Sequence, residues 1–325
     1  MIPSTASEHE RRCAIFGTRV RLLIGPPLRE ELPSPAVIAL QLEGLMRVMH
    51  ERMTRFDAGS ELCRLNADPR GTVEVSSLLM TGLRAAVWAA ERSDGLVDPT
   101  LVDEIEAAGY ARSREGEPPA SLRDAIASAT ERRPARPRDG SAWRAFVLRA
   151  DDGVVSRPLG ARVDLGGTAK GLAADLAASK LQGYASFVVD VGGDLRMGGE
   201  STAPREVRVE HPLHGHAPSF ELGEGAVATS GIATRLWGLG NGHAHHLIDP
   251  STGLPAWTGL LQATAVASAA VEAETLAKTA FLSGPGDAAR EALSDYGGIL
   301  IADDGSVELV GPLAAAAAST AESAA

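Results

Sequence analysis

The chain has 325 residues, 44% of them apolar, and a formal net charge of −11. That length and apolar share suffice for a full core, in one large domain or two intimately associated ones. The acidic balance repels nucleic acid and anionic membrane surfaces, so an anionic ligand must be held by a local cluster of cations.

Two cysteines, Cys13 and Cys63, supply neither a disulfide framework nor a cysteine zinc site and point to a reducing, cytoplasmic setting. Residues 1–15 read as a flexible polar leader: Glu8, Glu10, Arg11 and Arg12 stand where a signal peptide needs an apolar core. No apolar run approaches the ~20 residues of a membrane span. Residues 16–24, FGTRVRLLI, alternate through Val20, Leu22 and Ile24 with the period of a strand. Ser34 and Pro35 open a helix whose Ile38, Leu42, Leu45, Met49 and Met53 recur three and four apart, one apolar stripe for a sheet. In RFDAGSELCRLN, residues 55–66, Asp57, Gly59 and Ser60 supply loop and N-cap chemistry before a short helix. A second amphipathic helix over about residues 77–92 passes through SDG into LVDPTLVDEIEAAGY, where Asp98-Pro99 breaks the chain and Thr100 caps the segment after it. Residues 111–140 are rich in Arg, Pro, Glu and Ala, and the interleaved acids and prolines read as a solvated insertion rather than a nucleic-acid hook.

Strand signals return at FVLRAD, residues 146–151, with an Asp-Gly turn into VVSRP. The stretch VDLGGTAKGLAADLAASKL, residues 163–181, then joins a buried strand end to a helix through a glycine turn. Gly166 and Gly167 let the backbone turn sharply, and the helix starting near Thr168 directs its free N–H groups and positive dipole end at the turn, so an anion is the natural guest. The run is neither G-x-x-x-x-G-K-[ST] nor G-x-G-x-x-G, which excludes ordinary P-loop and Rossmann binding. FVVDVGGDLRMGG is a β-branched strand interrupted at Gly192 and Gly193. EVRVEHP and SFEL alternate as strands, AVATSG ends in a small-residue turn at Ser230 and Gly231, and HAHHLIDPSTGLP is a strand end broken by Asp-Pro. A strand-to-helix passage, ATAVASAAVEAETLAKTAFLSG, precedes a C-terminal hairpin around Asp304 and Gly305. Residues 313–325, rich in alanine, carry no packing pattern and read as a frayed tail, and no fixed-period repeat is visible. The expected fold is α+β over residues 16–312, with mixed, largely antiparallel sheets covered by helices.

The glycine-bearing strand ends at Gly166-Gly167, Gly192-Gly193 and Ser230-Gly231 suggest a cleft floored by backbone. Asp164, Lys170, Asp175, Asp190, Asp194, His246 and Asp249 lie near them in sequence, together with Glu274 and Lys278, which a helix places on one face. Taken alone, Glu274 with Lys278 reads as a surface ion pair worth ~0.3 kcal/mol, and His243, His245 and His246 read equally as a metal tract or a solvated loop. His246 is the best single candidate for a base, because a neutral imidazole at a strand end accepts a proton.

In order and spacing these pieces resemble the ApbE family, the FAD:protein FMN transferases. The resemblance runs through FGTRV, SELCRLN, VDPTL, VDLGGTAKGLAADLA, VVDVGGDLRMGG, VATSGIATR, HHLIDPSTGLP and AETLAKTAFLSG. It implies a transferase that binds FAD, cleaves its pyrophosphate and attaches FMN to a threonine or serine hydroxyl of a partner flavoprotein, releasing AMP. It implies flavin-nucleotide contacts at Phe16, Phe56, Gly109, Tyr110, Asp164, Lys170 and Ile248, with the Gly166-Gly167 turn cradling the diphosphate and His246 as general base. It also implies Mg2+ on the main-chain oxygen of Gly167 and on an aspartate and a threonine four residues apart. Glu274 and Lys278 stand at those two places, and Ile232 and Ala233 replace the polar and aromatic residues expected after Ser230-Gly231. Lys278 is therefore expected to stand in for the ion in part; the alternatives are a displaced ion on Gly167, Glu274 and waters, or an inactive site. The rival functions are a FAD pyrophosphatase and a non-catalytic FAD-binding flavin carrier.

Overall fold

Alternation along the apolar segments decides the architecture. Val20, Leu22 and Ile24 face one side of their strand and Leu23 the other; Val189 and Val191 oppose Val188, and Ala226 and Ala228 oppose Val227. A sheet with two apolar faces needs a cover on each. The computed structural model describes residues 7–129, 131–201, 203–215 and 218–317. Among them, eight strands form one sheet in the order His9–Ile15, Thr18–Ile24, Phe187–Val191, Asp194–Gly198, Gly225–Gly231, Leu260–Ala267, Gly298–Ala302, Val307–Val310. Every pairing in it is antiparallel, so the largely antiparallel α+β fold expected of the chain is antiparallel throughout this sheet.

One face carries the helices Pro35–Met53, Ser77–Arg92, Ala169–Ala178 and Ala270–Ser283, whose buried side chains share one cluster with the sheet. The hairpin of Arg205–Arg208 and Ser219–Leu222 covers the other face through Val207 and Phe220. No helix among the described residues is long and apolar enough to cross a membrane.

The expectations for both termini change. Residues 9–15 are not a leader: they form an edge strand paired from Ile15↔Thr18 to His9↔Ile24. Its charges are consumed laterally, Arg11 on Glu43 and Arg12 and Arg21 on Glu10, which gave the segment its polar look. The described residues of 111–140 are largely exposed, and the segment is tied to the protein at several points. The N–H groups of Ala120, Arg133 and Ala135 bond the carbonyls of Leu236, Trp257 and Leu282 at 2.9, 3.0 and 2.8 Å, and Ala135 is buried. Two of its arginines reach outside the segment, Arg132 to Asp303 and Arg138 to Glu104. At the C-terminus, residues 312–317 are helical and Leu313 packs against the sheet. The remainder of the tail and residues 1–6 of the leader lie outside the described residues.

Candidate active site

The site begins with small residues that let backbone meet backbone. Gly171, in the first turn of helix Ala169–Ala178, has no side chain to hold off helix Ala270–Ser283, and its N–H donates to Glu274 Oε2 at 2.9 Å. The Gly192-Gly193 pair, with φ of 65° and 93°, turns strand Phe187–Val191 straight back into Asp194–Gly198. Asp194 is thereby carried inward and buried beside Lys170.

These elements wall a cleft of about 720 Å³, inside the range of about 300–1,000 Å³ common for small-molecule and cofactor sites. Phe16, Phe56, Tyr110, Asp164, Gly166, Gly167, Lys170, His246, Ile248, Glu274 and Lys278 all line it. Gly109 does not: its φ of 94° and missing side chain let it sit against Trp237 Nε1, and its carbonyl accepts Arg114 Nη2 at 3.0 Å. Phe16 reaches the cleft from a hairpin tip at φ 59°, a left-handed conformation unusual for an aromatic residue, with its ring edge-on to His50 at 5.5 Å. Tyr110 stacks between Phe56 and Trp237 at 5.3 and 5.4 Å.

The opposite end of the cleft is ionic. Glu274 Oε1 lies 3.0 Å from Lys278 Nζ and 3.4 Å from Lys170 Nζ, and Lys170 also pairs with Asp194. Burial works against the Lys170 ammonium, yet the Asp194 and Glu274 carboxylates outweigh it and hold its pKa above the ordinary lysine value. Burial likewise opposes the Glu274 carboxylate, and Lys278 and Lys170 outweigh it, keeping its pKa low; for Asp194 burial prevails and the pKa rises. Glu274 with Lys278 is thus no exposed surface pair.

His246 comes directly after strand Gly242–His245 and lines the cleft, with no hydrogen-bond partner on Nδ1 among the described residues. Burial, then Arg235 and the neighbouring cations, drives its pKa well below the usual histidine value, so the ring is neutral. The three histidines do not converge as a metal tract. His243 Nδ1 is 3.0 Å from Ser128 Oγ, and His245 is buried in the core edge-on to Trp257.

Other acids near the glycine turns are structural. Asp175 accepts the N–H groups of Ala270 and Val271 at 2.8 and 2.9 Å, capping the helix that carries Glu274. Asp190 bonds Gly193 N at 2.9 Å, and Asp249 holds Ser251 and the Arg136 N–H. Sequence reasoning missed two arginines of the cleft. Arg55 is buried over the Phe56 and Tyr110 rings, 4.3 and 4.8 Å from their centroids, and holds Asp164 Oδ2 through Nε at 3.2 Å. Its Nη1 and Nη2 have no hydrogen-bond partner among the described residues, although Glu106 stands 3.9 Å from Nη1. Arg235 donates to the Tyr110 hydroxyl.

Magnesium requires near-octahedral oxygen ligation at about 2.0–2.1 Å. Here both Glu274 oxygens already accept protein N–H groups, Lys278 contributes an ammonium where an oxygen ligand would stand, and Gly167 adds one carbonyl. Among the described residues, no three His, Cys, Asp or Glu side chains converge as ligands. The residues present do not fit the ion.

Comparisons with known proteins bear on the family and the fold. The sequence model of the ApbE family matches residues 16–299. The FAD:protein FMN transferase of Treponema pallidum (strain Nichols) is 28% identical over 300 residues, covering 85% of this chain and 79% of that protein. The enzyme of that name from Vibrio cholerae serotype O1 is 24% identical, covering 73% and 70%. The crystal structure of the ApbE protein from Thermotoga maritima superposes with a TM-score of 0.75 at 26% identity, over 93% of this chain and 97% of that one. The flavin transferase ApbE from Vibrio cholerae shares the fold, with a TM-score of 0.74 at 20% identity over 96% and 99% of the two chains. Over residues 16–299, most of its length, the chain belongs to the ApbE family.

Proposed function

We propose that the protein is a FAD:protein FMN transferase, moving FMN from FAD to a threonine or serine hydroxyl of an acceptor flavoprotein and releasing AMP. The observation that carries this reading is one cleft joining an aromatic wall to a lysine-bearing glycine turn, with a neutral histidine on its lining. Phe16, Phe56 and Tyr110 offer faces and edges for an isoalloxazine ring. Gly166, Gly167, Lys170 and Lys278 offer backbone and cations for the diphosphate.

An alcohol is a poor nucleophile at neutral pH and needs a base. In this reading His246 accepts the hydroxyl proton as that oxygen attacks the FMN-side phosphorus. A new O–P bond forms, the bridging O–P bond breaks, and AMP departs with the electron pair on its phosphate oxygen. Lys170, Lys278 and Arg235 stabilise the charge that develops on the phosphoryl oxygens.

Incubating the protein with FAD, with and without a peptide carrying an acceptor threonine, tests this. AMP release together with a peptide heavier by FMN is expected. AMP without modified peptide would instead make it a FAD pyrophosphatase, and FAD binding without AMP a flavin carrier.

A further inference from the structure

The ionic end of the cleft is a closed set of two ammoniums and two carboxylates. Glu274 and Asp194 are each 1% exposed, so both lysines neutralise charges that have almost no access to water. Burying such a set is costly, and replacing it with apolar groups is often neutral or stabilising for a fold. Its presence on the wall of a cavity therefore asks for another role. Each ammonium has three N–H donors. Lys278 spends one on Glu274, and Lys170 directs its donors to Asp194 and Glu274, so each retains capacity for an acceptor in the cleft. Lys278 also lies against the glycine turn: a Cβ on Gly167 would sit 3.9 Å from its Cε, ordinary contact distance. The ammonium thus stands next to the backbone on which an anion would rest.

We infer that this chain supplies its phosphate-facing cation from protein: Lys278, bridged through Glu274 to Lys170, takes the place of a divalent ion, and FAD is bound and turned over without one. This rests on the FAD reading above. Glu274 holds the two ammoniums at a fixed spacing, and Asp194 anchors Lys170 from behind. Neither carboxylate is open to a metal while these pairs stand. A divalent ion entering at Glu274 would have to displace both lysines and lie beside their charges, which Coulomb repulsion in a poorly solvated pocket opposes strongly.

The test has one arm without flavin and one with it. Mn2+ binding to the purified full chain is monitored by electron paramagnetic resonance in the absence of FAD, for the wild type and for Lys278→Thr. The wild type is expected to leave Mn2+ free. Lys278→Thr, which replaces the ammonium with an oxygen donor, should gain affinity by at least about tenfold. Stoichiometric Mn2+ binding by the wild type overturns the inference. So does a folded Lys278→Thr, verified by its circular dichroism, that gains no affinity.

In the second arm, FAD affinity and AMP release are measured in excess EDTA and in excess Mg2+. Equal values in the two conditions support the inference, and loss on chelation with recovery on adding Mg2+ overturns it. Absence of FAD binding in both conditions refutes the transferase reading, and with it the inference that rests on it. The Mn2+ arm then still separates the two failures, because a wild type that leaves Mn2+ free shows that the flavin assignment was at fault and not the exclusion of the ion.

Discussion

Gly171 and Ala270 meet backbone to backbone: a Cβ on the glycine would stand 2.6 Å from the Ala270 carbonyl oxygen and 2.7 Å from Val271 Cα. That contact sets the spacing of two helices, and the spacing sets the chemistry. It puts Glu274 on the Gly171 N–H at 2.9 Å and within 3.4 Å of Lys170.

Gly171→Ala is therefore expected to push the helices apart and loosen the cluster. Overpacking of this kind destabilises by about 1–3 kcal/mol, and here the neighbour is main chain that cannot rotate away. Denaturant unfolding should show that loss, with weaker FAD binding beside it. Wild-type stability in the variant would mean that the helix pair tolerates a methyl and does not set the site.

His246→Ala should keep FAD affinity and lose transfer by ~10²-fold or more. The wild type should also carry a pH signature. Burial and the cations around it hold the His246 pKa well below 6.5, so the base form persists as pH falls from 7.5 to 6 and transfer stays on its plateau. Half-maximal transfer near pH 6.5 would point to an ordinary solvated histidine or to another base.

Arg55 presents two guanidinium nitrogens without hydrogen bonds among the described residues, in a buried position that favours a ligand more than the fold. Arg55→Met should weaken FAD by ~10-fold, about 1.4 kcal/mol, while the melting temperature holds or rises. If the melting temperature instead falls and FAD affinity is unchanged, the arginine serves only to brace Asp164.

Local rules govern the part of the structure that could be read in the sequence. The glycine turn before Lys170, the apolar stripe of helix Pro35–Met53 and the C-terminal hairpin come from spacing within a few residues. Arg55 was not legible as part of the site, because Asp164, which it holds, is 109 residues away in the chain. Asp194 was near the right turn in sequence, yet its pairing with Lys170 depends on how the hairpin packs against a helix. The edge strand His9–Ile15 was concealed by charges that find partners only in the folded sheet. His245 and His246 show the boundary most sharply. Adjacent residues at a strand end face opposite ways, so one enters the core and the other the cleft; the strand-end position singled out His246 as a base, but nothing local showed that His245 would be sealed in the core.

His245 yields a prediction about stability rather than catalysis. It is fully buried, its Nδ1 accepts the Leu247 N–H at 3.3 Å, and its Nε2 has no partner among the described residues. Burial lowers its pKa to about 3. The folded ring therefore stays neutral across a range in which the unfolded chain takes up a proton. Above pH 6.5 neither state binds that proton and His245 adds no pH dependence. Below 6.5 the unfolded state gains it alone, so stability falls as pH drops toward about 3, at a slope near 1.4 kcal/mol per pH unit for one such group. His246 adds to the same slope, since its pKa is also depressed. His245→Asn keeps an acceptor near Nδ1 and removes the titration. Its stability at pH 7 should drop through lost contact with Trp257, but between pH 6.5 and 5 its curve should fall less steeply than the wild type's. Urea titrations across that interval decide the matter: parallel curves for the two proteins would show that His245 is protonated within the fold.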